Sequence, residues 1–161
     1  MAKMIAVKQL FIPKMLAYYA DYSRRPARTM SYFHLIFGFL LFWAFTVTGQ
    51  YMRSDFPDKG EIDQAFRILM RSRHIYILLS SLMHLALGVY MRLRPHPLQK
   101  VLQISGSALL TAASLLLLYA FVVETYELHG FSSFSRYGLY LSLAGVGLHL
   151  FGGLEIPRRR R

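Results

Sequence analysis

The sequence contains no cysteine. That excludes disulfides, thiolate metal sites and haem attached through thioether bonds, so a metal here has only His, carboxylate or Met to bind it. Acidic residues are scarce, eight against nineteen Lys and Arg, and there is one tryptophan. A local absence says more. Four runs, Thr29 to Met52, His74 to Met91, Val101 to Val123 and Tyr137 to Leu154, carry no Asp, Glu, Lys or Arg. Nor is there a glycine-rich phosphate loop, a nucleophile elbow or a carboxylate pair within those runs, so no catalytic constellation is visible.

What is present is gathered into blocks: 55% hydrophobic and 15% aromatic residues, concentrated in the four runs. At about 1.5 Å of rise per residue each run is close to the thickness of a bilayer's hydrocarbon layer. The sequence therefore predicts an all-α membrane protein, one domain over residues 1–161. Its four transmembrane helices, at about 29–52, 74–91, 101–123 and 137–154, form an antiparallel bundle. Pro95-His96-Pro97 allows only a short connection between the second and third spans, which makes them a hairpin.

The segments between the runs have their own signals. Residues 1–28 are apolar but broken by Lys3, Lys8, Lys14 and Pro13, which predicts an interfacial N-terminal segment closed by the basic stretch Ser23 to Arg28. A secretory signal does not fit, because Lys8 interrupts the apolar core and no small-residue cleavage site follows. After the first span, Pro57-Asp58-Lys59-Gly60 reads as a turn. Glu61 to Arg73 reads as a short surface helix, with Ile62, Phe66, Leu69 and Met70 on one face and Asp63 and Arg67 spaced for an ion pair. Tyr32 and Tyr51 mark the two interfaces of the first span, and Trp43 sits deeper in a packing role. In the third span Ser105, Ala108 and Ala112 form a small-residue stripe, and in the fourth Gly138, Ser142, Gly145, His149 and Gly152 form another; such stripes let helix backbones approach. Residues 155–161 end in the basic tail Arg158 to Arg161, an anchor for anionic headgroups.

The net charge of +11 does not point to nucleic acid, because the basic residues stand at the ends of apolar runs and in the tail, not along one face. It points to topology. With the N-terminus inside, thirteen Lys and Arg lie on the cytoplasmic side and six on the other, so both termini are expected in the cytoplasm of a cell whose inner membrane holds the protein.

Besides His74 at the edge of the second run, three histidines lie well inside the runs: His34, His84 and His149. Each opens the word His-Leu-x-x-Gly, as in His34 to Gly38, His84 to Gly88 and His149 to Gly153. Counted from the ends of the runs, His34 and His149 fall at matching depth and His84 deeper. The sequence thus predicts a pair, His34 with His149, and a separate polar site at His84. The pair can ligate a b-type haem or a bare metal ion, with Gly38, Gly145 and Gly152 leaving room and Arg28 and Arg158 near the propionates; Gly88 stands beside His84. His84 alone can serve a proton or cation path. The plainer alternative is that each histidine bonds a serine or carbonyl on a neighbouring helix. Glu124, Glu127 and His129, outside the runs, can be joined by His74 at the outer end of the second run in a metal site, though a solvated loop is the simpler reading, since no paired His spacing is present. The expected function is an accessory or scaffold subunit of a larger membrane complex or homo-oligomer, without catalysis of its own.

Overall fold

A computed structural model of the 161-residue chain describes residues 2–55, 63–124 and 133–154, with side chains from Arg28 onward. Every regular element in these residues is helical: α1 (Ala2–Asp55), α2 (Gln64–Tyr90), α3 (Pro97–Val123) and α4 (Ser133–Gly153). The connection of Met91 to His96 turns α2 back into α3, and Pro97 opens α3 at a position where a missing N–H costs nothing. Two helical stretches are long and apolar enough to cross a bilayer, Arg28–Asp55 and Pro97–Val123.

Two boundaries differ from the sequence reading. The segment 1–28 is not a separate element, because α1 runs unbroken through Pro13 and Pro26 for 54 residues, roughly 80 Å at the helical rise. The surface helix is likewise the start of α2. Asp63 caps it, its carboxylate accepting from the N–H groups of Ala65 at 3.1 Å and Phe66 at 3.3 Å. Met70 in that first part is buried, as its helical face predicted. The turn at residues 57–60 and the tail at 155–161 fall outside the described residues.

Packing is organised as two hairpins, α1 on α2 and α3 on α4, joined through α2 and α3. The first uses the repeated word. A Cβ on Gly88 would lie 2.5 Å from Leu35, and one on Gly38 would lie 2.9 Å from Leu85. Leucine of each word thus fills the hollow left by glycine of the other, a reciprocal fit that only antiparallel helices make. In the second hairpin the fit repeats every seventh residue. Gln103, Leu110 and Leu117 of α3 seat on Gly152, Gly145 and Gly138 of α4, each within 2.8 Å of where a Cβ would be. The glycine stripe of α4 is therefore a contact face. The stripe Ser105, Ala108 and Ala112 is not; Ala108 and Ala112 are exposed, and α3 buries Gly106, Ser107, Ala113 and Ser114 instead.

The surface of the fold is apolar, and its interior holds polar groups beside a core of Leu41, Met70, Ile77, Leu110, Leu117 and Phe121. Buried positions include His34, His84, Ser80, Ser81, Ser107, Ser114, Arg73 and Glu124, while Ile36, Phe39, Leu40, Leu143, Leu150 and Phe151 each expose more than half of their surface. Trp43 is 68% exposed, so it packs outward and not against the bundle as expected.

Gly145→Leu should lower the thermal stability of the detergent-solubilised bundle by at least ~2 kcal/mol, because the new side chain meets Leu110 and the carbonyl of Gly106. Leu143→Ala, at a position 69% exposed, should change it by less than ~0.5 kcal/mol. Equal midpoints of the two variants in a thermal melt would refute the heptad fit.

Candidate functional site: a buried histidine and serine relay

The histidines His34, His84 and His149 converge, and the expected division into a pair and a separate site is corrected. His34 Nδ1 lies 2.7 Å from His84 Nδ1. His34 Nε2 lies 2.9 Å from Ser107 Oγ, and the same hydroxyl lies 3.1 Å from His149 Nε2. At the other end His84 Nε2 lies 3.1 Å from Ser114 Oγ. One continuous chain results: Ser114, His84, His34, Ser107, His149. It joins all four helices. His34 and His84 are fully buried, and Phe37 caps the His84 ring edge to face with centroids 4.8 Å apart.

The direction of the hydrogens follows from one bond. Ser114 Oγ sits 2.8 Å from the carbonyl oxygen of Leu110, a distance at which two acceptors would repel, so the hydroxyl proton lies between them. Ser114 must then accept from His84 Nε2–H. A neutral imidazole has one donor and one acceptor, so His84 Nδ1 accepts from His34 Nδ1–H, and His34 Nε2 accepts from Ser107 O–H. Ser107 in turn accepts from His149 Nε2–H. Each tautomer is thereby assigned, and His149 Nδ1 is left as a lone pair. Among the described residues no donor meets it, and His149 is half-buried on a lateral groove between α2 and α4.

This arrangement does not fit a haem. Both nitrogens of His34 are spent on protein partners, and the His34 and His149 rings, 6.4 Å apart between centroids and inclined at 71°, share a single serine hydroxyl. A macrocycle between them would have to expel Ser107. The glycines expected to leave room are filled by Leu85, Leu110 and Gln103, and Gly88 beside His84 is filled by Leu35. A bare metal fits no better. The Nδ1 to Nδ1 distance of 2.7 Å is a hydrogen bond, shorter than the roughly 3.3 Å that two ligands keep on a tetrahedral ion. No group of three His or acidic side chains placed to share a metal occurs among the described residues.

Sequence reasoning missed Ser107 and Ser114. They lie seven residues apart on the buried face of α3, the helix that contributes no histidine to the chain, and that spacing is the signal that points to them.

At the far end of the bundle a second polar cluster replaces the expected solvated loop. Glu124 is 2% exposed. Its carboxylate caps α4, accepting from Phe134 N–H at 2.8 Å and from the Ser135 hydroxyl at 2.9 Å, while Arg73 Nε stands 3.8 Å away and the Arg73 guanidinium also donates to the Glu124 carbonyl. One acid thus ties α2, α3 and α4 together. His74 belongs elsewhere: its Nδ1 lies 3.0 Å from Thr48 Oγ1 and its ring stacks on Phe45. Glu127 and His129 lie outside the described residues.

Compared with protein families, with curated proteins and with solved structures, the chain shows no significant match.

Three outcomes check the site. His34→Ala and His84→Ala should each cost about 1 to 2 kcal/mol of bundle stability in detergent. Wild type expressed with added haem precursor should show no Soret band; a reducible low-spin spectrum would refute the relay. Glu124→Ala should cost more, about 3 to 5 kcal/mol, because it strands a buried arginine and uncaps α4.

Proposed function

We propose that this is a four-span membrane protein with both termini in the cytoplasm, serving as an accessory or scaffold subunit of a membrane complex. The observation that supports the embedding is the apolar surface: large apolar side chains face outward on every helix, while serine, histidine and an ion pair are buried among Leu41, Ile77, Leu110 and Leu117. In water such a surface would aggregate; in lipid it is solvated. α2 and α4 complete the set of spans, their polar residues being turned inward where the neighbouring helices satisfy them. Four spans return the chain to its starting side, and the clustering of Arg28, Arg92, Arg94 and Lys100 with the C-terminal arginines selects the cytoplasm for that side. The lipid bilayer, its anionic headgroups included, is then the first partner.

A scaffold role is supported by how the polar groups are spent. The relay ends on the Leu110 carbonyl, which cannot release a proton onward, so it does not run from one face to the other. That disfavours the through-path read from His84, and the filled glycine hollows disfavour haem. What the relay does is lock four helices in one arrangement. α1 is the peripheral member, with 17% of its apolar stretch buried against 44% for α3. Its outer face, with Tyr32, Ile36, Phe39 and Trp43, is the one free to meet a second copy or a larger assembly.

Fusing a reporter active only outside the cytoplasm to the loop near Gly130 should give activity, and the same reporter at the C-terminus should give none. The reverse pattern would invert the topology. Mild-detergent purification followed by identification of co-migrating chains should find a stable membrane partner or a homo-oligomer; a monodisperse monomer would remove the scaffold role.

A further inference from the structure

His149, whose Nδ1 keeps a lone pair, lines a groove of about 710 Å³ between α2 and α4, a size typical of small-molecule sites. Its walls are apolar along Met83, Leu87 and Val146, and its mouth carries Arg92 and Arg94. Arg94 donates to the Gly153 carbonyl at 2.9 Å, while the exposed Arg92 guanidinium has no partner among the described residues. His149 lies four residues before the end of α4, about 6 Å inside that mouth at the helical rise. An occupant must therefore offer an apolar body, a hydrogen-bond donor one helical turn inside, and negative charge or an acceptor at the arginines. Glycerophospholipid esters offer only acceptors at that level. A long-chain alcohol offers the donor but no complement to the arginines. A carboxyl group presents both, a proton for the imidazole and, once that proton is given up, a carboxylate for the arginines.

Resting on the membrane-bundle reading above, we propose that this groove binds a long-chain carboxylic acid, which passes its proton to His149 Nδ1 and stays as a carboxylate between the new N–H and the arginines Arg92 and Arg94, its alkyl chain lying along Met83, Leu87 and Val146. The selectivity comes from the direction of the relay. Were the hydrogens reversed, His149 would present N–H to the groove and an ester or a ketone would satisfy it as well.

The test uses the full chain in nanodiscs of zwitterionic phospholipid, titrated with palmitic acid carrying ¹³C at the carboxyl carbon. Saturable binding of one acid per chain with a shifted carboxyl resonance is expected. Methyl palmitate and hexadecanol should compete at least about tenfold less well, the loss of one buried hydrogen bond. His149→Leu should weaken binding by about the same factor, and Val146→Trp, which fills the groove without touching the serines, should abolish it. Competition by methyl palmitate or phosphatidylglycerol equal to that of palmitic acid would overturn the proposal, as would wild-type binding by either variant. A chain that resists alkaline carbonate extraction yet binds no acid overturns this inference alone; a chain that carbonate releases from membranes overturns the embedding itself.

Discussion

The hydrogen bond between His34 and His84 is the contact on which the bundle depends. An imidazole in an apolar layer must spend both nitrogens or leave a costly orphan, and these two spend one on each other. That choice brings α1 and α2 to the separation at which Leu35 and Leu85 drop into each other's glycine hollows. It also leaves each histidine one remaining nitrogen, and both turn to α3, to Ser107 and Ser114. The first hairpin cannot complete its polar contacts until the second is docked on it. Packing and hydrogen bonding therefore specify the same register.

Bonds of this kind are individually modest between membrane helices, about 0.6 kcal/mol on average, so the network does not outweigh apolar contact as a source of stability. Its contribution is to specificity. Apolar helices in lipid can slide or rotate past one another at little cost, since lipid and leucine are alike as solvents. A five-member chain whose direction is set at Ser114 is broken by a slip of one residue. The heptad fit of α3 on α4 resists the same slip sterically, and Glu124 resists it at the far end by binding α2 and α4 at once.

The four helices were legible in the sequence because a long run without charge is a one-dimensional mark. The convergence of the histidines was not, for a definite reason. Depths were counted from the ends of uncharged runs, but α1 continues past Thr29 without a break, so its run does not end where the bundle does. His84, counted as deeper than His34, lies directly beside it. The repeated word was visible, yet its meaning lies in the pairing of one copy against another, which depends on helices being antiparallel neighbours. Serines carry still less signal, because most hydroxyls in such helices simply bond the preceding turn, as Thr46, Thr111 and Ser142 do here. The burial of Glu124 with Arg73 is not visible in the sequence, because a linear sequence does not show that the start of α4 packs against α2 at Arg73.

The two ends of the bundle use opposite ways of holding polar groups. Where α4 begins, every oxygen of Glu124 is met by donors from the chain itself, so that end is closed and a ligand would have to displace an existing bond. Where α4 ends, Gln99 and Arg94 satisfy the last carbonyls, at Leu154 and Gly153, and Gln103 holds the α2 to α3 connection through Arg92 and Arg94 backbone. Those bonds would suffice to finish the helix. His149 nevertheless keeps an acceptor that nothing in the described chain fills, and it does so because the proton order imposed thirty-five residues earlier, at Ser114, fixes its tautomer. The open valence at the groove is thus a property of the whole network and not of His149 alone. Removing the Ser114 hydroxyl frees the chain to run either way, and with it the choice between donor and acceptor that the groove presents.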